Sequence, residues 1–308
     1  MTNIRLVEKL AALNPEKRKL LQKMIASKRE PHPVSSTEFE PQALQSFYSQ
    51  PERTKQGTQS FYDTINDQLD QSIFAAYSAF LNYGYVADDS PSLSAVELAP
   101  RMLNRASVKL VLELIGDCDL AAKRVLDVGC GRGGTLAVVN QFFDAATKVG
   151  VDLSSHAIAY CRRTHHFANT SFEQADAEQL PFSDASFDAV LNIESSHSYL
   201  DIDAFYREVK RVLAAGGYFL YTDVFACERF DRQQERLRQM GFSIERERDI
   251  TRNVLLSCRE TAERRAQAFQ PTRESSILDD FLSTPGSSVF QEMESGGAVY
   301  RILKMRRS

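Results

Sequence analysis

Three carboxylates each accompany a short apolar run: Asp127 within VLDVGCGRGG, Asp152 at the end of KVGVDL, and Asp176 just after TSFEQ. Beside the first, Gly129, Gly131, Gly133 and Gly134 crowd into one turn of a chain that holds only 14 glycines in 308 residues. A backbone so bare of side chains lets a nucleotide-like ligand touch the main chain. Gly129-x-Gly131-x-x-Gly134, with Asp152 about twenty residues on, also satisfies the dinucleotide fingerprint. Asp127 separates the readings, because a carboxylate at a strand end repels a pyrophosphate but suits a ligand with a cationic amino-acid end. A second chemistry lies further along. His197 follows FDAVLNIE by a few residues, and Asp223 ends GYFLYTDV. An imidazole held by a carboxylate is a general base of fixed tautomer, suited to removing the proton of an alcohol. The other histidines have simpler explanations: His32 falls in a Pro-rich stretch, His156 at a helix start, and His165 and His166 at a helix end.

The elements that must position these groups alternate between strand and helix from about residue 116 onward. RVLDVG, KVGVDL, TSFEQAD, FDAVLNIE and GYFLYTDVF are strands, separated by amphipathic helices that end near Phe143 and Phe167 and span 201–213. Such alternation implies right-handed βαβ units and a parallel sheet covered on both faces, with ligands at the carboxyl ends of the strands. Beyond it are expected a helix at 228–240, a strand FSIERERDI, a polar lid insertion at 251–282 carrying Arg252, Arg259, Arg264 and Arg265, and a last strand near AVYRILKM. Upstream, residues 1–30 read as a helical arm, 31–58 as a linker with three prolines in its first dozen residues, and 59–115 as a helical cap. That cap comprises an aromatic helix 59–81 (Phe61, Tyr62, Phe74, Tyr77, Phe80) and a helix 100–115.

On Asp127, Gly129, Gly131 and Gly133 the chain resembles the class I S-adenosylmethionine-dependent methyltransferases, from about Phe61 to the C-terminus. The resemblance implies an α/β fold, a Rossmann-like seven-stranded methyltransferase sheet, with S-adenosylmethionine as cofactor. It further implies that Asp152 holds both ribose hydroxyls, that Leu153 lies next to the adenine, and that the Asp176-Ala177 pair reads the adenine amino group. Asn82, Tyr83 and Tyr85 resemble the turn that closes over the methionyl end, and Tyr62, Cys130, Asn192 and Glu194 complete the implied cofactor set. FLNYGY, LNIESSHSY and ESGGAVYRILKM are similar to segments of methyltransferases that finish polyketide-derived lipids, including the phthiotriol and phenolphthiotriol enzymes. His197 and Asp223 resemble the catalytic pair of rebeccamycin-type sugar O-methyltransferases. The implied activity is O-methylation of a hydroxyl on a polyketide or peptide-polyketide, with His197 as base and Asp223 as its orienter. An N- or C-methyltransferase is the alternative on this fold; a nicotinamide oxidoreductase and a non-catalytic assembly-line module are the alternatives from other classes. Residues 1–30 are similar to helical linkers of assembly-line synthases, which implies docking on a carrier protein; an arm for homodimerisation or packing is the other reading.

A formal charge of −4 argues against sequence-independent nucleic-acid binding. The five cysteines show no paired spacing, and no His/Asp/Glu set has metal-ligand spacing. The amino-terminal stretch is too charged for a signal peptide or a membrane span, so a reducing, cytoplasmic setting is expected.

Overall fold

The computed structural model describes residues 53–72, 75, 78–268 and 281–308, all within the second of two compact units, Pro41–Ser308. The arm 1–30, the first part of the linker, Phe74, Tyr77, and most of 269–282 lie outside the described residues.

Five parallel strands form first along the chain: β1 (Arg124–Val128), β2 (Thr147–Asp152), β3 (Thr170–Gln174), β4 (Phe187–Ile193) and β5 (Leu213–Ala226). With β6 (Phe242–Asp249) and the antiparallel β7 (Ala298–Arg307) they make one sheet of order β3-β2-β1-β4-β5-β7-β6. The order reverses between β1 and β4, which opens a crevice at their carboxyl ends. Strand residues alternate between two apolar layers, because successive side chains point to opposite faces. Val125, Leu191 and Leu220 join one layer, and Leu126, Val190 and Phe219 the other.

The first layer is covered by α2 (Arg105–Ile115), α3 (Gly134–Phe142), α4 (Ser155–Thr164), α7 (Thr251–Ala268) and α8 (Ser288–Ser295). The second is covered by α5 (Ile202–Val212) and α6 (Cys227–Gln239). Helix α1 (Lys55–Gln71) starts where Thr54 accepts from the amide of Gly57, packing Phe61, Ile65 and Leu69 inward.

Three boundaries differ from expectation. Helix α1 begins inside the expected linker and stops at Gln71 rather than continuing to residue 81. Residues 78–81 are not helical, because Ala79 and Phe80 press against Gly134, and Leu81 lies near Gly131. Tertiary packing overrides the helical spacing there. Helix α2 starts only at Arg105, since Asn104 adopts a left-handed φ of 53° that breaks the preceding turn. Helix α8 was not anticipated, although Ser287 caps its start and Gly296 ends it at φ 81°. No helix among the described residues is long and apolar enough to cross a membrane.

Candidate active site

A cleft open to solvent lies over the ends of β1, β2 and β4. Its floor is the loop from Gly129 to Gly134, and main-chain bonds set that floor. The amides of Gly129 and Cys130 both donate to the Val151 carbonyl, at 2.8 and 2.9 Å, and the Gly131 amide donates to Asp152 Oδ2 at 2.8 Å. Gly129 takes φ 72°, and a Cβ there would stand 2.3 Å from Ser195 Oγ, so the loop and the Ser195 turn approach too closely for any side chain.

The three acids are placed differently. Asp152 and Asp176 line the cleft, with Leu153 and Ala177 beside them. Asp152 also bonds the Ser154 amide at 2.8 Å, while burial nevertheless raises its pKa. Asp176 is paired with Lys55, which reaches Glu178 as well at 2.9 Å. Asp127 does not line the cleft. It is 1 % exposed, one residue before Val128 and bonded to Thr135, both of which do line it. Burial first, then the nearby Asp152 charge, push its carboxyl up to about 8. Its Oδ2 is buried and has no hydrogen-bond partner, so a cationic group of a ligand would be favoured there.

His197 sits on a short 3₁₀ turn, Ser196–Ser198, that follows β4. Strand β4 ends at Ile193, opposite Thr222, whereas β5 runs on because β7 pairs with it. Asp223 is therefore the first β5 residue beyond the end of β4. His197 Nδ1 lies 2.8 Å from Asp223 Oδ1, and the His197 amide donates to Oδ2 at 3.1 Å. Ser196 Oγ at 2.6 Å and the Val224 amide at 2.8 Å complete the hydrogen bonding of the Asp223 carboxylate, which is fully buried. Burial disfavours the imidazolium, but Asp223, with a smaller contribution from Glu194, outweighs it and raises the His197 pKa above 6.5. The imidazole reaches the cleft, and the carboxylate stands behind it.

Glu194 turns at φ 48° and binds the Tyr83 amide through both oxygens, at 2.8 and 3.0 Å, and the Tyr300 hydroxyl. Ser257 clasps the same turn by donating to the Tyr83 carbonyl at 2.7 Å. Asn82, Tyr83 and Glu194 thus reach the cleft together with Tyr62, Cys130 and Gly131. Tyr85, Gly133 and Asn192 do not. Tyr85 is buried on the far side, where its hydroxyl accepts from Arg248 at 3.2 Å, because the φ 76° at Gly84 reverses the chain after Tyr83. Asn192 is buried and donates to the Val128 carbonyl and to Ser195, bracing the loop from behind.

Several cleft residues carried no sequence signal: Lys55, Thr58 and Asn66 of α1, and Phe281, while Leu81 and Ser195 lay within the quoted FLNYGY and LNIESSHSY without being singled out. Tyr199 and Ser198 lay within the quoted LNIESSHSY but were not singled out. No cluster of three or more His, Cys, Asp or Glu able to hold a metal ion occurs among the described residues.

A bare glycine floor, a buried acid beneath it with one carboxylate oxygen unpaired, and two acids along the neighbouring strand ends fit S-adenosylmethionine, and this fold and cleft define a class I methyltransferase. Residues 126–221 match the family described as a methyltransferase domain. The chain is 48 % identical over 152 residues to a fatty-acid O-methyltransferase of Mycolicibacterium smegmatis, covering 49 % of this chain and only 54 % of that relative. It is 33 % identical over 231 residues to the phthiotriol/phenolphthiotriol dimycocerosates methyltransferase of Mycobacterium tuberculosis, covering 72 % of this chain and 83 % of the relative. The fold is shared with the crystal structure of the [4+2]-cyclase SpnF, at a TM-score of 0.64 and 22 % identity, over 82 % of this chain and 96 % of that one. The chain belongs to the S-adenosylmethionine-dependent methyltransferase family that includes these mycobacterial lipid enzymes.

Proposed function

We propose that the protein is an O-methyltransferase acting on a hydroxyl of an apolar, lipid- or polyketide-type acceptor, with His197 as general base. The observation that carries this reading is the 2.8 Å contact between His197 Nδ1 and Asp223 Oδ1 at the cleft wall. With Nδ1–H committed to the buried carboxylate, the Nε2 lone pair is left to take a proton, and Asp223 stabilises the imidazolium that forms. S-adenosylmethionine, when bound, would supply a methyl carbon on a sulfonium for in-line attack by the acceptor oxygen, with the C–S electron pair leaving on the thioether of S-adenosylhomocysteine. Asp152 and Asp176 are assigned to its ribose and adenine, and Glu194, through its hold on Tyr83, to the wall over its methionyl end. Leu81, Leu200 and Phe281 offer the acceptor an apolar surface. The names of the two mycobacterial relatives, one acting on fatty acids and one on phthiotriol lipids, support an acceptor of this class. A cytoplasmic setting and a carrier-tethered acceptor docked through residues 1–30 belong to the same proposal, with homodimerisation as the other reading of that arm.

A panel of free and carrier-tethered hydroxylated acceptors, with a fatty acid included, is assayed by mass spectrometry for the gain of one methyl. His197→Ala is expected to lower kcat on an alcohol by at least about a hundredfold, with S-adenosylhomocysteine binding unchanged. A loss of only a few-fold would remove the base and favour a carboxylate or amine acceptor, which has little need of one. Because the His197 pKa is raised, the imidazolium persists above pH 6.5, and kcat should climb with pH through an apparent pKa above that value.

A further inference from the structure

The fourth residue of the glycine loop makes contacts that main-chain recognition of a cofactor does not require. Arg132 stands between Gly131 and Gly133, and its side chain is wholly buried. The guanidinium stacks on Tyr160 of α4, 3.4 Å from the ring centroid, and reaches across to α1. There Nη1 donates to Asn66 Oδ1 at 3.1 Å and Nη2 to Asp70 Oδ1 at 2.7 Å.

The same face of α1 carries a row of acids at helical spacing that continues the contact. Asp63 accepts from Ser154 Oγ at 2.5 Å, Asp67 pairs with His156 Nδ1 at 2.7 Å, and Asp70 pairs with Arg163 at 2.8 Å. Those partners lie at or in α4, whereas Arg132 alone in this row comes from the cofactor loop. A neighbouring face of α1 brings Lys55, Thr58, Tyr62 and Asn66 to the cleft.

We propose that Arg132 is a positioning residue that fastens helix α1 to the glycine loop, so that cofactor seated on the loop also fixes the α1 wall of the cleft. The inference rests on the cofactor reading but not on the acceptor or on His197. A buried cation with good geometry on one helix transmits displacement of its own backbone, and Arg132 has positive-φ glycines on either side holding that backbone in the loop. Coupling of this kind is a free energy shared by two sites, readable from either end.

Hydrogen exchange over residues 55–71 and 128–134, with and without S-adenosylhomocysteine, tests it alongside calorimetric affinity. In the unaltered protein the ligand is expected to protect both segments. In Arg132→Lys the loop protection should remain while protection of α1 falls at least about fivefold, and Kd should rise by about tenfold. Asp70→Asn, which alters the pair from its exposed end and keeps the buried Arg132 in place, should do the same and decides the matter if Arg132→Lys does not fold. Arg163→Gln removes the other partner of Asp70 and should leave both readings within about twofold. Ligand protection of α1 undiminished in Asp70→Asn, with Kd within about twofold, would overturn the proposal. Failure of the unaltered protein to bind the ligand at all is a different result and overturns the cofactor reading beneath it.

Discussion

The two walls of the cleft are made of different material. The strand-end wall is held by main-chain bonds: Gly129 and Cys130 on Val151, and Gly133 on Cys130, with Asp152 adding one carboxylate. The opposite wall, formed by α1 and residues 79–83, is held by side chains reaching across long stretches of sequence. Glu194 and Ser257 clasp Tyr83, Arg132 holds Asn66 and Asp70, and Tyr62 hydroxyl lies 2.7 Å from Ser198 Oγ. A wall of backbone has no slack for an added atom, while a wall of side-chain bonds yields one bond at a time. That difference predicts steep losses on one side and graded losses on the other.

The steepest loss should come from Gly129→Ala. Alanine at φ 72° is strained, and its Cβ would meet Ser195 Oγ at 2.3 Å and Cβ at 2.5 Å, so the Ser195 turn or the loop must move. Strain and displacement together are of order 1–3 kcal/mol, and calorimetry should show S-adenosylhomocysteine affinity falling by about a hundredfold. Melting temperature should fall by a few degrees as well, since the strain belongs to the folded state whether or not the ligand is bound. Affinity within about threefold of the parent would show that the backbone wall has slack after all.

A smaller effect should follow from Asp127. Its carboxyl, pushed up to about 8 by burial, is mostly protonated at neutral pH in the unliganded protein, and a nearby ammonium favours the ionised form. Binding at pH 7 should therefore release about one proton, and affinity should rise by up to tenfold per pH unit until it levels off above pH 8. Calorimetry in buffers of different ionisation enthalpy measures the proton directly. The same shift has the opposite sign for the unliganded fold, whose stability from this group declines as pH rises from about 4 to 8, because the unfolded chain ionises first. A flat affinity profile with no proton released would make Asp127 a purely structural acid under the loop.

What could be read from the sequence divides along the same line. The glycines, Asp152 and Asp176 were legible because each lies next to its own strand, and a βα turn is a local event whose chemistry is spelled by adjacent residues. His197 and Asp223 could be paired on paper because one follows β4 and the other lies near the end of its parallel neighbour β5, and the structure brings them to 2.8 Å. Lys55, Asn66 and Arg132 were not legible, since a polar residue of a linker, a helix or a loop looks solvated until its partner, dozens of residues away, is known. Arg132 is hidden further by its motif, where the glycines draw the eye. Tyr85 failed in the other direction: its aromatic turn suggested the cleft, but Gly84 sends it toward Arg248. The end of α1 at Gln71 was missed for a similar reason: Ser72 turns to extended backbone, at φ −73° and ψ 154°, where the spacing of aromatic residues suggested more helix.

The gentlest change lies where the graded wall meets the proposed base. Tyr62 is neutral at any working pH, its hydroxyl pushed up to about 12 by burial, and it stands in edge contact with Phe281, ring centroids 6.5 Å apart. Its hydroxyl bonds Ser198, the residue after His197, so Tyr62→Phe keeps the aromatic packing and removes one neutral hydrogen bond, of about 1 kcal/mol. The His197–Asp223 pair, with its own buried bonds from Ser196 and Val224, does not depend on that hydroxyl. Steady-state kinetics should show kcat/KM for the acceptor lowered by about threefold to tenfold, with the pH limb of kcat unchanged. A shift of that limb instead would mean that α1 acts on the base itself, and the two walls would have to be treated as one.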